Sequence, residues 1–191
     1  MSMNHLPNAE EVYLRYITEY NNSDLETLLS AYREGLYFFL LSFVKNEEDA
    51  EELLMDTFAK LAVDRPRFIP GREGSFKSWL YAIARNNALM HIRRRKMEAV
   101  PLEEDTAAAA DTPESCLIRD ERKRLIYNGL KALKPEYRRA LTLLYIEGFS
   151  HDEIALAMGV KKKQVYNYLE RGKAALKDRL LKMGMTGEEI I

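Results

Sequence analysis

The sequence predicts an all-α protein made of two small helical domains joined by a flexible linker. Three observations carry that expectation. Apolar residues recur three and four positions apart over most of the chain, with no alternating strand pattern. Proline and glycine cluster between those stretches, at Pro66, Pro70, Gly71 and Gly74 and again at Gly148 and Gly159. From Glu98 to Ser115 the chain carries two prolines, many small residues and six acids, a composition that cannot supply a core. With 191 residues and 47% hydrophobic side chains, the rest of the chain can bury a core on either side of that run. The expected divisions are an N-terminal extension (1–23), a first helical domain (24–97), an acidic linker (98–118), a second helical domain (119–183) and a tail (184–191).

Taken in order, Asp24 is placed to cap a helix carrying Leu25, Leu28, Leu29, Tyr32, Leu36, Phe39, Leu40 and Phe43. A second helix follows in "EDAEELLMDTFAKLAVD", with Leu53, Leu54, Phe58, Leu61 and Ala62 on its apolar side. The stretch "RPRFIPGREGS" breaks it, and Ser75 opens a third helix, "SFKSWLYAIARNNALMHIRRRK", whose Trp79 shares a face with Phe76, Leu80 and Ile83 and reads as core. Beyond the linker, "RDERKRLIYNGLKAL" is amphipathic, and Pro135 starts a helix as a first-turn proline does, with Gly148 ending it. Ser150 and Glu153 have capping-box spacing for a short helix, Gly159 supplies a tight turn, and "KKKQVYNYLERGKAALKDRLL" forms the last helix.

The net charge of −1 conceals a segregation. Every charged residue between Gly74 and Met97 is basic, every one from Glu98 to Ile118 is acidic, and Val160 to Arg179 is mostly basic again. Two basic faces flanking an acidic connector point to a polyanionic partner. The single cysteine, Cys116, can form no internal disulfide and reads as incidental. Glu10, Glu11, Arg15 and Glu19 interrupt the first twenty residues, which excludes a secretory signal, and no apolar run reaches the roughly 20 residues of a membrane span. A cytoplasmic protein without membrane insertion is expected. The chain offers no HExxH, phosphate-binding glycine loop, paired catalytic carboxylates or activated nucleophile, so no enzyme, metal or cofactor is expected.

The last two helices have the form of a helix-turn-helix, in which the second helix enters the major groove and the joint needs a small residue. Gly159 stands at that joint. Ile154, Ala155, Met158, Val160, Val165 and Leu169 have the spacing of a shared core. This leaves Lys161, Lys162, Lys163, Gln164, Tyr166, Asn167, Glu170, Arg171 and Lys173 outward, types suited to phosphate contact and base readout.

In chain order, "DAEELLMDTFAKL", "SFKSWLYAIARNNALMHIRRRK" and "LKALKPEYRRALTLLYIEGFSHDEIALAMGVKKKQVYNYLERGKAAL" together resemble an extracytoplasmic-function sigma factor of bacterial RNA polymerase, of the sigma-70 family. The resemblance runs from Asp24 to Lys182. It implies a sigma-two domain, a linker and a sigma-four helix-turn-helix domain, with core RNA polymerase and promoter DNA as partners and an anti-sigma factor as inhibitor. It implies that Arg72, Ser75, Lys77, Arg85, Asn86, Arg93, Arg94, Arg95 and Lys96 serve the minus-ten element, with a pocket for an unstacked base in the loop from Phe68 to Phe76. It implies that the nine outward residues of the last helix serve the minus-thirty-five element, and that Asp49, Glu52, Leu53, Met55 and Asp56 dock on the polymerase clamp, with Phe58 in the core. His91, beside arginines, reads as a surface group, and Met90 and Met55 stand where many relatives carry polar side chains. The competing expectation is a helix-turn-helix regulator acting as a dimer without polymerase, which leaves the acidic second helix and basic third helix without a use.

Overall fold

The computed structural model describes residues 9–44, 46–71, 74–98, 125 and 128–185. Among them no strand occurs, and the long helices are α1 (Ala9–Glu19), α2 (Asn22–Val44), α3 (Glu47–Val63), α4 (Phe76–Glu98), α5 (Pro135–Tyr145), α6 (His151–Met158) and α7 (Lys162–Lys182). A helical stretch over 128–131 leads into α5. Linker residues 99–118, with Cys116, and Arg72 lie outside the described residues.

In the first unit, α2 buries Leu28, Tyr32, Leu36, Phe39 and Leu40, a stripe at helical spacing, and packs against α1, α3 and α4. Each such side chain contributes roughly 1.5–3 kcal/mol by burial. The start of α2 differs from the sequence expectation. The helix begins at Asn22, the Asn21 side chain accepts the Ser23 N–H at 3.1 Å, and Asp24 lies inside the first turn. Asp24 is instead buried in a bidentate ion pair with Arg15 of α1, whose Nε donates at 2.8 Å. That hydrogen-bonded pairing holds the Asp24 carboxyl below the usual range. The N-terminal extension therefore folds as α1 onto the first unit, with Tyr13 and Tyr16 in its core.

Asn46 caps α3 by accepting from the N–H groups of Glu48 and Asp49 at 2.8 and 3.3 Å. Glu47, Glu48 and Asp49 in the first turn suit the positive end of the helix dipole. In the second unit Pro135 occupies the start of α5, the Ser150–Glu153 capping box opens α6, and Gly159 closes it with a left-handed φ of 62°. Ile154, Met158, Val165 and Leu169 are buried between α6 and α7, with Ala155 and Val160 half-buried.

The two units are not separate bodies. α6 lies on α4, α5 touches α2, and one continuous hydrophobic cluster runs through both halves.

Candidate nucleic-acid and polymerase interfaces

All nine side chains assigned to the upstream element are exposed, eight along α7 and Lys161 at its cap, because Val165, Leu169 and Gly172 take the inward positions. Local contacts fix several of them. The Gln164 side chain accepts the Lys161 N–H at 3.0 Å, capping the helix that it also extends from. Lys162 pairs with Asp152 at 2.8 Å, and the Tyr166 ring stacks on His151 at 4.6 Å, tying the outward face of α7 to α6. Asn167, Glu170 and Arg171 stand in the middle of the exposed face.

The residues assigned to the downstream element divide in two along α4. Asn86, Arg93, Arg94 and Lys96 are exposed. Ser75, Lys77 and Arg85 instead face the second unit. Lys77 is buried and reaches Glu147, 2.8 Å from its carboxylate and 2.9 Å from its main-chain carbonyl. Phe149 lies beside it, with Lys77 Nζ 5.0 Å from the ring centroid and the Tyr81 ring set edge-on at 5.1 Å. Ser75 donates to Glu153. Arg85 Nη1 donates to the Leu156 carbonyl at 3.2 Å and lies over Gly159, where a Cβ would fall 1.8 Å from it. Gly159 is required for its left-handed turn, and its missing side chain leaves the space that the Arg85 guanidinium fills.

The chemistry of this contact is a network of charges removed from water. Burial alone would raise the Glu153 carboxyl, but hydrogen bonds from Ser75 and Ser150 and the nearby Lys77 hold it below the usual range. Burial lowers the Arg85 guanidinium, and burial, reinforced by neighbouring Arg138, brings Arg139 down to about 10. Arg139 lies 3.8 Å over the Phe43 ring of α2, a second bridge between the halves. The Tyr81 hydroxyl is raised by burial and by Glu147; both meet at Gly35, where a Cβ would fall 2.4 Å from the hydroxyl and 2.5 Å from the carboxylate.

On α3, Glu52, Met55 and Asp56 are exposed while Asp49 and Leu53 turn inward. Asp49 Oδ1 accepts from Arg95 Nη2 at 2.9 Å, Oδ2 is ion-paired with Arg95 Nη1 at 2.7 Å, and the carboxylate lies 3.8 Å from His91 Nε2. The buried carboxylate is held by Arg95, a cation that the resemblance assigns to DNA and whose side chain is 59% exposed. His91, expected on the surface, has a side chain only 8% exposed. It lines a cleft of 270 Å³ with Phe43, Val44, Ile92, Arg95 and Lys96. Trp79 packs among Tyr13, Phe68 and Phe76, and Phe58 is buried. Phe68 and Phe76, at the ends of the loop expected to hold an unstacked base, are themselves core residues.

Glu147, Glu153 and Arg139 were absent from the sequence assignment. Glu153 was visible only as a cap, and nothing local marks a glutamate before a glycine as the partner of a lysine seventy positions earlier. Among the described residues no cluster of His, Cys, Asp or Glu could hold a metal ion, and no helix is long and apolar enough to cross a membrane.

A helical unit with an exposed acidic helix and a basic helix, followed by a helix-turn-helix unit, has the arrangement of sigma-70-type transcription factors. Residues 28–98 match Sigma-70 region 2 and residues 123–176 match Sigma-70 region 4. The chain is 32% identical to the RNA polymerase sigma factor CarQ of Myxococcus xanthus, over 81% of this chain and 88% of that one. It is 32% identical to the ECF RNA polymerase sigma factor SigE of Mycolicibacterium smegmatis over 82% of its own length, and spans 62% of that relative. The chain belongs to the extracytoplasmic-function family of RNA polymerase sigma factors. The fold is shared with the sigma factor RpoE of Bartonella quintana, solved in complex with the anti-sigma factor NepR, at a TM-score of 0.60 and 23% identity over 85% of this chain and 99% of that one. It is shared also with CnrH in complex with the cytosolic domain of CnrY, at 0.58 and 21% over 93% and 96%.

Proposed function

We propose that this chain is a cytoplasmic, non-catalytic transcription initiation factor that binds core RNA polymerase and directs it to promoters. α7 reads the upstream element in the major groove, and α4 with the loop before it engages the downstream element and stabilises its opened strands. The observation that carries this reading is the outward face of α7, nine exposed polar, aromatic and charged side chains on a closed helix-turn-helix, on the same chain as a region 2 unit with exposed Glu52, Met55 and Asp56. A basic groove that holds single-stranded DNA offsets lost base stacking by binding energy, so strand opening needs no catalytic group. Since Ser75, Lys77 and Arg85 are occupied by the second unit, DNA reaches them only when α4 and α6 part. A protein inhibitor is the expected regulator, supported by the anti-sigma complex of the structural neighbour.

The test is transcription by purified core polymerase and this chain from a promoter library randomised over both elements. The expected result is a set of transcripts whose templates share two short elements at fixed spacing. Start sites no different from those of core polymerase alone would reject the reading.

A further inference from the structure

The loop between α3 and α4, residues 64–75, contains Pro66 and Pro70, which have no N–H to donate. Over its described start, residues 64–71, the shape is fixed largely from outside, and α1 with the residue after it does much of the fixing. The Tyr13 side chain is fully buried, yet its hydroxyl reaches across 53 positions to donate to the Pro66 carbonyl at 2.6 Å. The Tyr13 ring lies 5.1 Å from Phe76 and 5.3 Å from Trp79, and Phe68 closes the cluster at 5.7 Å from Phe76 and 5.3 Å from Trp79. Just past the end of α1, the exposed Tyr20 ring carries the Arg65 guanidinium at 4.1 Å. Tyr20 and Arg65 both have left-handed backbones, with φ of 58° and 44°, an arrangement that non-glycine residues keep only when their surroundings hold it.

α1 thus touches the loop at Arg65 through a cation and an aromatic face, at Pro66 through a hydrogen bond, and at Phe68 through shared packing. The rings pack the core, whereas the hydrogen bond to the Pro66 carbonyl and the exposed ring under Arg65 act on the loop backbone and its first side chain. We propose that Tyr13 and Tyr20 are positioning residues for base selection at the downstream promoter element, setting the backbone at Arg65 to Phe68 from which the loop before α4 departs. The inference rests on the assignment of that loop to the downstream element.

The full chain, assembled with core polymerase, is tested on a library randomised in the downstream element, with the upstream element as internal control. Tyr13→Phe keeps the ring and removes the donor; it relaxes downstream base preference by roughly five-fold, the equivalent of one hydrogen bond, and leaves upstream preference unchanged. Tyr20→Ala, at an exposed position, relaxes it also, whereas Tyr20→Trp retains the cation–aromatic contact and the parental preference. A fall in melting temperature for Tyr13→Phe and Tyr20→Ala with parental base ratios at every downstream position would overturn the proposal and reduce α1 to a stabilising element. Failure of the parent chain to direct transcription at all would instead reject the function on which the proposal rests.

Discussion

Lys77 Nζ lies 2.8 Å from the Glu147 carboxylate and donates to the Glu147 carbonyl at 2.9 Å, so the first turn of α4 and the turn before α6 share one buried ion pair. With side chains 7% and 11% exposed, the two groups are almost wholly withdrawn from water. The pair joins a lysine assigned to DNA to an acid of the other DNA-binding unit. Under the proposed function, Glu147 occupies Lys77 where a promoter phosphate is expected.

Removing Glu147 should therefore loosen the two units. Breaking a buried pair from one side costs roughly 3–5 kcal/mol when the orphaned charge cannot escape, but here separation of α4 from α6 returns Lys77 to water and caps the cost. Glu147→Gln is expected to raise the radius of gyration of the free protein in X-ray scattering and to strengthen its binding to single-stranded downstream-element DNA. Unchanged scattering and binding would show that packing at Phe149 and Arg139 suffices without the pair.

The contact should also weaken in acid. Glu153 has a folded value below its ordinary one, so it contributes stability that is fully present above about pH 4.3 and lost as pH falls through the lowered value. Fluorescence energy transfer between dyes on the two units is expected to fall over that window. Glu153→Gln, which removes the titrating group while keeping a cap, should flatten the profile; an unaltered profile would assign the transition to other carboxylates.

Asp49 and its neighbours on α3 should separate into stability and binding. Arg95→Ala leaves Asp49 buried without its cation and is expected to cost about 2–3 kcal/mol, less than a wholly buried pair because Arg95 is 59% exposed. Chemical denaturation measures it. Charge reversal at exposed Glu52 and Asp56 should instead leave stability within about 0.5 kcal/mol and weaken competition for core polymerase. Equal competition by the double variant would remove α3 from the docking face.

At the upstream element, Asn167→Ala should relax preference at one or two adjacent base pairs, since a bidentate contact to adenine is worth roughly 1–3 kcal/mol of discrimination. Lys163→Ala should weaken all sequences alike and lower the salt slope by about 1. A library selection in which the Asn167 variant keeps parental preferences would leave readout to DNA shape.

Much of the fold was legible because its signals are local. The Ser150–Glu153 capping box, Pro135 at a helix start and the left-handed Gly159 each act within four residues of themselves, and all three stand where the sequence placed them. The outward set on α7 was legible for the same reason, since helical spacing alone decides which side chains accompany Val165 and Leu169 inward. Asp24 misled because a capping residue and an ion-pair partner look alike in sequence; only Arg15, brought near by the turn after α1, distinguishes them. His91 misled similarly, because a histidine beside arginines reads as a surface group until another helix covers it.

By itself the sequence determined two helical units, their order, the helix-turn-helix and the family, because periodicity, caps and turns depend on neighbours along the chain. Only the tertiary structure decided which charges are available. Lys77 and Glu147 are seventy positions apart, Asp49 and Arg95 forty-six, and Tyr13 and Pro66 fifty-three. Whether such a group meets DNA, polymerase or its own protein depends on desolvation and pairing across helices, and those energies exist only once the helices have packed.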